Sequence, residues 1–180
     1  MKTLRSVVSL VCRAGIIALA TSPAALAAAN LEYAVKANYL YKFAPFVTWP
    51  SQAFASSAEP FQICVIGEDP FGPALDDAVK GQQIGLRRIV VRRMQRIDGP
   101  MGCHIAFVAG SRTQPVAEII RVLRNQPVLT VADEQQGAGC AIRFLVKGGR
   151  VRFIINRAAA AQGDLSISSK LLDLALSVES

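Results

Sequence analysis

Short apolar runs alternate with helix-like segments along most of this chain, and this alternation limits the folds it can adopt. The apolar runs are residues 61–66, 88–91, 104–108 and 128–132, and the helix-like segments between them include 73–80 and 114–124. Runs that are apolar on both sides are typical of strands buried on both faces, as in a parallel sheet. The sequence therefore predicts a single α/β domain with a mostly parallel sheet and helices on both faces.

The C-terminal third changes to a different pattern. Residues 141–146 and 151–155 flank a Lys-Gly-Gly-Arg turn and predict a β-hairpin, because paired glycines adopt the positive φ angles of a tight turn. Alternation predicts that Arg143 and Lys147 share one face of this hairpin. That face is either a solvated surface or a docking surface for an acidic partner or lipid headgroups. A final helix over 169–178, with Ser168 as N-cap, is expected to close the core through Leu171, Leu174, Ala175 and Val178.

An aromatic segment near the start of the domain predicts a helix over 31–46, with Asn30 as its N-cap. Its apolar side chains do not lie on one stripe. The segment is therefore either deeply packed or part of a partner or dimer surface. The candidate surface residues are Tyr39, Tyr41, Phe46 and Trp49.

Residues 1–29 have the order of parts found in a secretory signal peptide. Lys2, Arg5 and Arg13 supply positive charge, an apolar stretch follows, and alanines at 25, 27 and 29 offer cleavage sites. We expect a mature chain that starts near Ala28 to Asn30, with one domain over 30–180, exported to the periplasm and without a membrane span. A retained anchor is the alternative. The leader removes three of the 20 basic residues, so 17 oppose 13 acidic residues, and this excess of +4 does not predict nucleic-acid binding.

Catalytic and cofactor motifs are absent from the sequence. Cys103 and His104 are neighbours in a predicted strand, so their side chains point to opposite faces and cannot form a nucleophile and base pair. Neither a nucleophile elbow nor a phosphate-binding loop occurs, and the turn over 67–72 lacks the glycine spacing of a dinucleotide site. We therefore expect no enzyme activity, no cofactor and no metal, with His104 as a core residue.

Three cysteines remain after the leader, and an exported chain meets an oxidising compartment. Cys64 lies inside an apolar run and resembles a small core residue. Cys103 and Cys140 each begin a predicted strand, where bridge geometry is easier to meet. We expect a disulfide between Cys103 and Cys140, with a reactive redox pair as the alternative.

Four stretches in order resemble the YfiR-type family of periplasmic repressors. They are ANYLYKF leading to FVTWP (37–50), IGEDPFG (66–72), PVLTV (127–131), and FIIN followed by ISSKLLDLA (153–175). The resemblance covers essentially the whole mature chain. It implies a Rossmann-like α/β domain, often dimeric, with a structural disulfide at Cys103 and Cys140. One departure is the Gly137 to Ile142 stretch, where the family usually has a Gly-Gly and hydrophobic pair, so the alignment of Cys140 can shift by a residue.

The same resemblance implies a role. Many such proteins restrain a membrane-anchored diguanylate cyclase by binding the cyclase's periplasmic sensor part, and none has catalytic residues to carry over to this sequence. Two other classes stay open from the residues alone. One is a periplasmic carrier that binds a small ligand in a cleft at the strand ends. The other is an enzyme with a dispersed site.

Overall fold

The computed structural model describes residues 23–180. Its long first helix is α1 (Pro23–Phe43), and the shorter ones are α2 (Pro73–Val79), α3 (Val116–Leu123), α4 (Arg157–Ala161) and α5 (Ser169–Leu172). The strands are β1 (Val47–Thr48), β2 (Phe61–Gly67), β3 (Gln83–Ile84), β4 (Arg87–Met94), β5 (Ile105–Gly110), β6 (Leu129–Asp133), β7 (Ile142–Lys147), β8 (Arg150–Asn156), β9 (Ser166–Ile167) and β10 (Ser177–Glu179). Most of the predicted signal peptide lies outside the described residues, so its cleavage stays a prediction.

Eight strands form one sheet in the order β10-β8-β7-β6-β5-β2-β4-β3. The central strands β4, β2, β5, β6 and β7 are mutually parallel, while β3 and β8 run antiparallel to their neighbours β4 and β7. Strands β1 and β9 form a separate antiparallel pair. The predicted α/β class with a mostly parallel sheet is confirmed, and so is the hairpin, whose turn glycines Gly148 and Gly149 have φ of 58° and 70°.

Strand alternation distributes the core over two layers. Phe61, Ile63 and Val65 of β2 face the layer that contains α1 and α2, and Cys64 and Ile66 face α3 on the opposite side. The first layer continues under β5 to β8, where large aromatic and branched side chains fill it. The second layer is smaller and ends near β6. Both faces of β2, β5 and β6 are therefore buried, which explains why the sequences of these three strands show no polar alternation.

Two helix predictions are wrong at their ends. Helix α1 runs through Asn30 instead of starting there, and it ends at Phe43, where a 3₁₀ turn over Ala44–Phe46 takes the chain past Pro45. At the C-terminus, α5 stops at Leu172, and the residues after it form edge strand β10 against β8.

The C-terminal strand forms because the edge of β8 offers backbone partners. The Leu176 N–H donates to the Phe153 carbonyl at 2.8 Å. Leu171 is buried as predicted, but Leu174 and Val178 are 62% and 42% exposed, so they do not close the core.

The expected bridge between Cys103 and Cys140 is also wrong. Cys64 and Cys103 form the disulfide, with a Cα–Cα distance of 5.9 Å, and Cys140 is a free, buried thiol. The sheet order explains the pairing. Cys103 precedes β5, which is the neighbour of β2, whereas Cys140 precedes β7, two strands away from β5. Two strand spacings amount to about 10 Å, which is beyond the Cα separation that a disulfide can bridge.

Candidate functional site

The sheet has a topological switch point between β2 and β5, where α/β proteins commonly bind nucleotides at the carboxyl ends of the strands. At this point the backbones of the two strand ends are in direct contact. The Glu68 N–H donates to the Gly110 carbonyl at 2.8 Å. A Cβ atom on Gly67 would lie 2.1 Å from the same oxygen, so the two strand ends approach as closely as glycine allows. Beside these strand ends lies a cleft of about 580 Å³, lined by Glu68, Gly110, Arg112 and Val116 among others.

The turn that follows Gly67 is held by ion pairs. The Asp69 carboxylate accepts from the Phe71 N–H at 2.8 Å and from Arg93 of β4 at 2.7 Å. Arg93 also binds Asp76 of α2 at 2.7 Å. Its hydrogen bonds to Asp76 and then Asp69 raise the pKa of Arg93. Carboxylates thus stand where a phosphate loop would present amide groups, and the segment is a strand-ending turn.

A charged cluster lies at the carboxyl end of β6, under α1. Lys36 is buried, with 3% of its side chain exposed, and it forms ion pairs with Glu32 and Asp133, each at 2.5 Å. The Tyr33 hydroxyl donates to the other Asp133 oxygen at 2.8 Å. Burial, followed by this hydrogen bond, raises the pKa of Tyr33, so the hydroxyl keeps its proton. The cluster fixes α1 on the sheet through charge-assisted bonds.

The same cluster lines a cleft of about 420 Å³ that also touches Phe144 and Gln136. Sequence reasoning missed this site. The spacing of Glu32 and Lys36 is a visible signal, because residues four apart on a helix can pair. Asp133, however, is 97 residues from Lys36 and is brought close only by the fold.

The aromatic segment divides between two parts of the core. Tyr39 is half-buried, and its ring centroid lies 5.8 Å from that of Phe43, 5.9 Å from that of Phe144 and 5.7 Å from that of Phe153. It therefore packs on the β7–β8 hairpin. Trp49 packs edge-on against Phe61 of β2, and its indole N–H donates to the His104 carbonyl at 3.3 Å.

The other two candidates, Tyr41 and Phe46, are half-buried at the border of the same core. The structure thus gives Tyr39 and Trp49 packing roles on different strands. Whether Tyr41 and Phe46 contact a partner stays a prediction.

His104 is a core histidine, as expected. Its ring stacks against both Phe54 and Phe61, at centroid distances of 4.3 and 4.9 Å. The Gln62 N–H donates to Nδ1 at 2.9 Å, so Nδ1 carries no proton and Nε2 donates to the Ala53 carbonyl at 3.1 Å. Burial lowers the pKa of His104, which keeps the ring neutral. Both ring nitrogens of His104 thus form hydrogen bonds to the backbone, and the bond to Ala53 holds the loop before β2 in place.

Cys140 has the environment of a structural thiol. Burial raises the pKa of the thiol to about 12, against a smaller opposing effect of a hydrogen bond from Thr130. The Thr130 hydroxyl also accepts from the Ala141 N–H at 2.9 Å. A reactive redox cysteine needs a lowered pKa and exposure, and Cys140 has neither.

Within residues 23–180, no group of three or more His, Cys, Asp or Glu side chains is placed to hold a metal ion. None of the helices within residues 23–180 combines the length and the hydrophobicity that a membrane span requires. A protein-family model described as YfiR/HmsC-like matches residues 33–176, a range that starts inside α1 and ends just before β10. Among curated proteins, none matches this chain at a significant level.

Proposed function

Because this chain belongs to the YfiR/HmsC-like family, we propose that it is a periplasmic regulator that represses a membrane-anchored diguanylate cyclase by binding the cyclase's periplasmic sensor domain. The observation that carries the proposal is the family match, which spans nearly the whole α/β domain. The mechanism is linkage. A repressor that binds the inactive arrangement of the sensor more tightly shifts the cyclase toward that arrangement, and a signal that weakens binding releases it.

The geometry of the strand ends agrees with a binding protein that is not an enzyme. In the turn after Gly67, the Asp69 carboxylate stands where nucleotide-binding α/β enzymes present amide groups to a phosphate. In the same region, Arg93 pairs with both Asp69 and Asp76 and holds them in structural contacts. We propose that the mature chain covers residues 30–180, acts as a homodimer and binds its partner through surface contacts.

The test is to co-express the full chain with a membrane-anchored diguanylate cyclase from the same genome and to measure cellular cyclic di-GMP. The full chain should lower the nucleotide level. A chain that begins at Asn30, without the leader, should stay in the cytoplasm and leave the level unchanged. Intact mass of the periplasmic form should show a start between Ala27 and Asn30. Equal repression by both chains, or by neither, would contradict a periplasmic repressor.

A second candidate is a small-ligand carrier, which the cleft beside Lys36 favours. The cleft lies at the carboxyl end of β6 and has about 420 Å³, a volume in the range of ligand pockets. Native mass spectrometry of the protein purified from the periplasm distinguishes the two. An extra mass that disappears in Asp133→Asn would support the carrier, and a bare chain that still represses the cyclase would exclude it.

A further inference from the structure

Three contacts join the segment before β2 to His104, the residue that immediately precedes β5. The Trp49 indole N–H donates to the His104 carbonyl at 3.3 Å, and the ring Nε2 donates to the Ala53 carbonyl at 3.1 Å. The Phe54 ring stacks on the imidazole at a centroid distance of 4.3 Å. We call residues 49–60 the flap, because residues 55–58 are exposed while the contacts of residues 49–54 with His104 hold the segment in place.

The flap covers the amino end of β2. Phe61, the first residue of that strand, is 0% exposed, and His104 is 1% exposed. Trp49 packs edge-on against Phe61 at a centroid distance of 5.3 Å, and the Phe54 ring lies 6.5 Å from it. Loss of the contacts with His104 would therefore uncover two buried rings and change the surface at this end of the sheet.

The hydrogen bonds of His104 accept only a neutral ring. Nδ1 accepts from the Gln62 N–H at 2.9 Å, so a proton on Nδ1 would place two donors against each other. Turning the ring over does not help, because a protonated imidazole carries a donor on both nitrogens. The two backbones are held together, since the His104 N–H donates to the Gln62 carbonyl at 2.9 Å. A protonated ring must therefore leave its site, and Ala53 and Phe54 then lose their anchor.

The charges around the ring come from the flap and from β4. Burial is the largest effect and lowers the pKa of His104, and Arg87 of β4 lowers it further, while the hydrogen bond to Ala53 and the Glu59 carboxylate of the flap oppose this. Arg87 also donates to the Ser56 and Glu59 carbonyls at 2.8 and 2.5 Å. A protonated His104 would thus add a second cation beside a flap that already binds one.

We propose that His104 is an acid-sensitive latch, whose protonation expels the ring from its site and releases the flap. The released ring takes up a proton that the latched ring refuses, so the latched state is favoured at neutral pH. Below about pH 6.5, the ordinary pKa of histidine, each pH unit should raise the ratio of released to latched chain by up to about tenfold. This gain ends at the lowered pKa of the latched ring.

The single histidine of the chain makes its protonation directly measurable. Nitrogen-15 NMR of the folded protein at neutral pH should show a proton on Nε2 and none on Nδ1. A pH titration should give a lower pKa in the folded protein than in the same chain unfolded in concentrated urea. A proton on Nδ1 at neutral pH, or a folded pKa at or above the unfolded one, would overturn the latch.

The single tryptophan, Trp49, lies in the flap and reports its release. Acidification to about pH 5 should shift its emission to the red and increase quenching by acrylamide, while far-ultraviolet circular dichroism stays unchanged. The matched control is His104→Gln, which keeps a hydrogen-bond donor and an acceptor but does not titrate; its emission should be the same at both pH values. An equal acid response in this variant would refute the latch.

Hydrogen exchange of the wild-type chain needs no variant, so it decides the question even if His104→Gln fails to fold. After correction for the intrinsic rate, peptides that cover residues 50–60 should exchange at least about tenfold faster at about pH 5 than at neutral pH. Peptides from β6 should keep their protection. Equal acceleration in both segments would show global unfolding and contradict local release of the flap.

The latch also supplies a signal, and this step alone rests on the proposed function. If the latched chain represses the cyclase at neutral pH, its apparent affinity falls with the latched fraction. In medium at about pH 5, the wild-type chain should repress cyclic di-GMP less than at neutral pH, whereas His104→Gln should repress equally at both. Equal repression by the wild-type chain at both pH values would refute acid as the releasing signal. If it represses at neither, the proposed function fails, and the NMR and exchange data still decide the latch.

Discussion

Removing the bridge between Cys64 and Cys103 should cost about 4 kcal/mol of unfolding free energy. The bridge joins residues 39 apart in sequence, and the chain-entropy treatment of a loop of this length gives about 4 kcal/mol. Both cysteines are buried beside α3, at 0% and 4% exposure. Alanine at both positions therefore adds no buried polar group, and the loss should come mainly from the unfolded chain.

Urea unfolding with and without a thiol reductant measures this effect in three proteins. For a slope of about 2 kcal/mol per molar urea, the reductant should lower the wild-type midpoint by about 2 M. The double variant Cys64→Ala/Cys103→Ala should unfold early in both conditions. Cys140→Ala is the matched control and should keep the full sensitivity to reductant, because its thiol takes no part in the bridge.

Two kinds of result would contradict a bridge between Cys64 and Cys103. If Cys140→Ala abolished the sensitivity to reductant, or if non-reducing peptide maps paired Cys140 with either of the other two, the sheet order that places β5 beside β2 would be wrong. A midpoint that did not respond to reductant in the wild-type chain would show that the bridge is not formed in solution.

Four other changes test separate parts of the structure. Tyr39→Ala should destabilise by about 2 to 4 kcal/mol in thermal unfolding because it removes a ring packed on three others, whereas Tyr39→Phe should be nearly neutral. Lys36→Met should cost about 2 kcal/mol in urea unfolding, since it leaves two partly buried carboxylates without their cation. Gly67→Ala should lose at least about 3 kcal/mol in the same assay because the added carbon meets a backbone oxygen at 2.1 Å, while Gly99→Ala meets nothing within 4 Å and should be tolerated. Above pH 9, the unfolded chain releases the Cys140 proton before the folded chain does, because the folded pKa is about 12; stability should therefore fall by up to about 1.4 kcal/mol per pH unit, and Cys140→Ala should remove that part of the slope in a pH series of urea curves.

The sequence was sufficient for the α/β class because burial on both faces leaves a local signature. Strand β2 begins at Phe61 and strand β6 begins at Leu129, each within a residue of the apolar runs. The hairpin could also be predicted from the sequence, since Gly148 and Gly149 define its turn. In these segments the local preference and the tertiary environment agree, so the pattern alone was informative.

The wrong predictions share a different cause. The partner of Cys103 depends on which strand lies beside β5, and strand order is a property of the whole sheet. The C-terminal residues have a helical stripe, yet the edge of β8 competes for their backbone, and Leu176 binds Phe153. The ion pair between Lys36 and Asp133 could not be predicted from local sequence either, because only the fold brings the two residues together. Local patterns contain no information about these contacts between distant segments.

The positions of Tyr39 and Arg152 on opposite sides of the β7–β8 hairpin lead to different expectations for loss of function. Tyr39 is packed against Phe153 on one side of the hairpin, whereas Arg152 points to the other side. A change at Tyr39 therefore acts on partner binding only through the stability of the hairpin, and its binding defect should track the fraction of unfolded protein. A change at the exposed Arg152 leaves the core contacts intact, so any binding defect that it causes should appear at temperatures where the chain is fully folded. Alanine at each position, compared for binding and melting on the same samples, distinguishes a supporting residue from a contact residue.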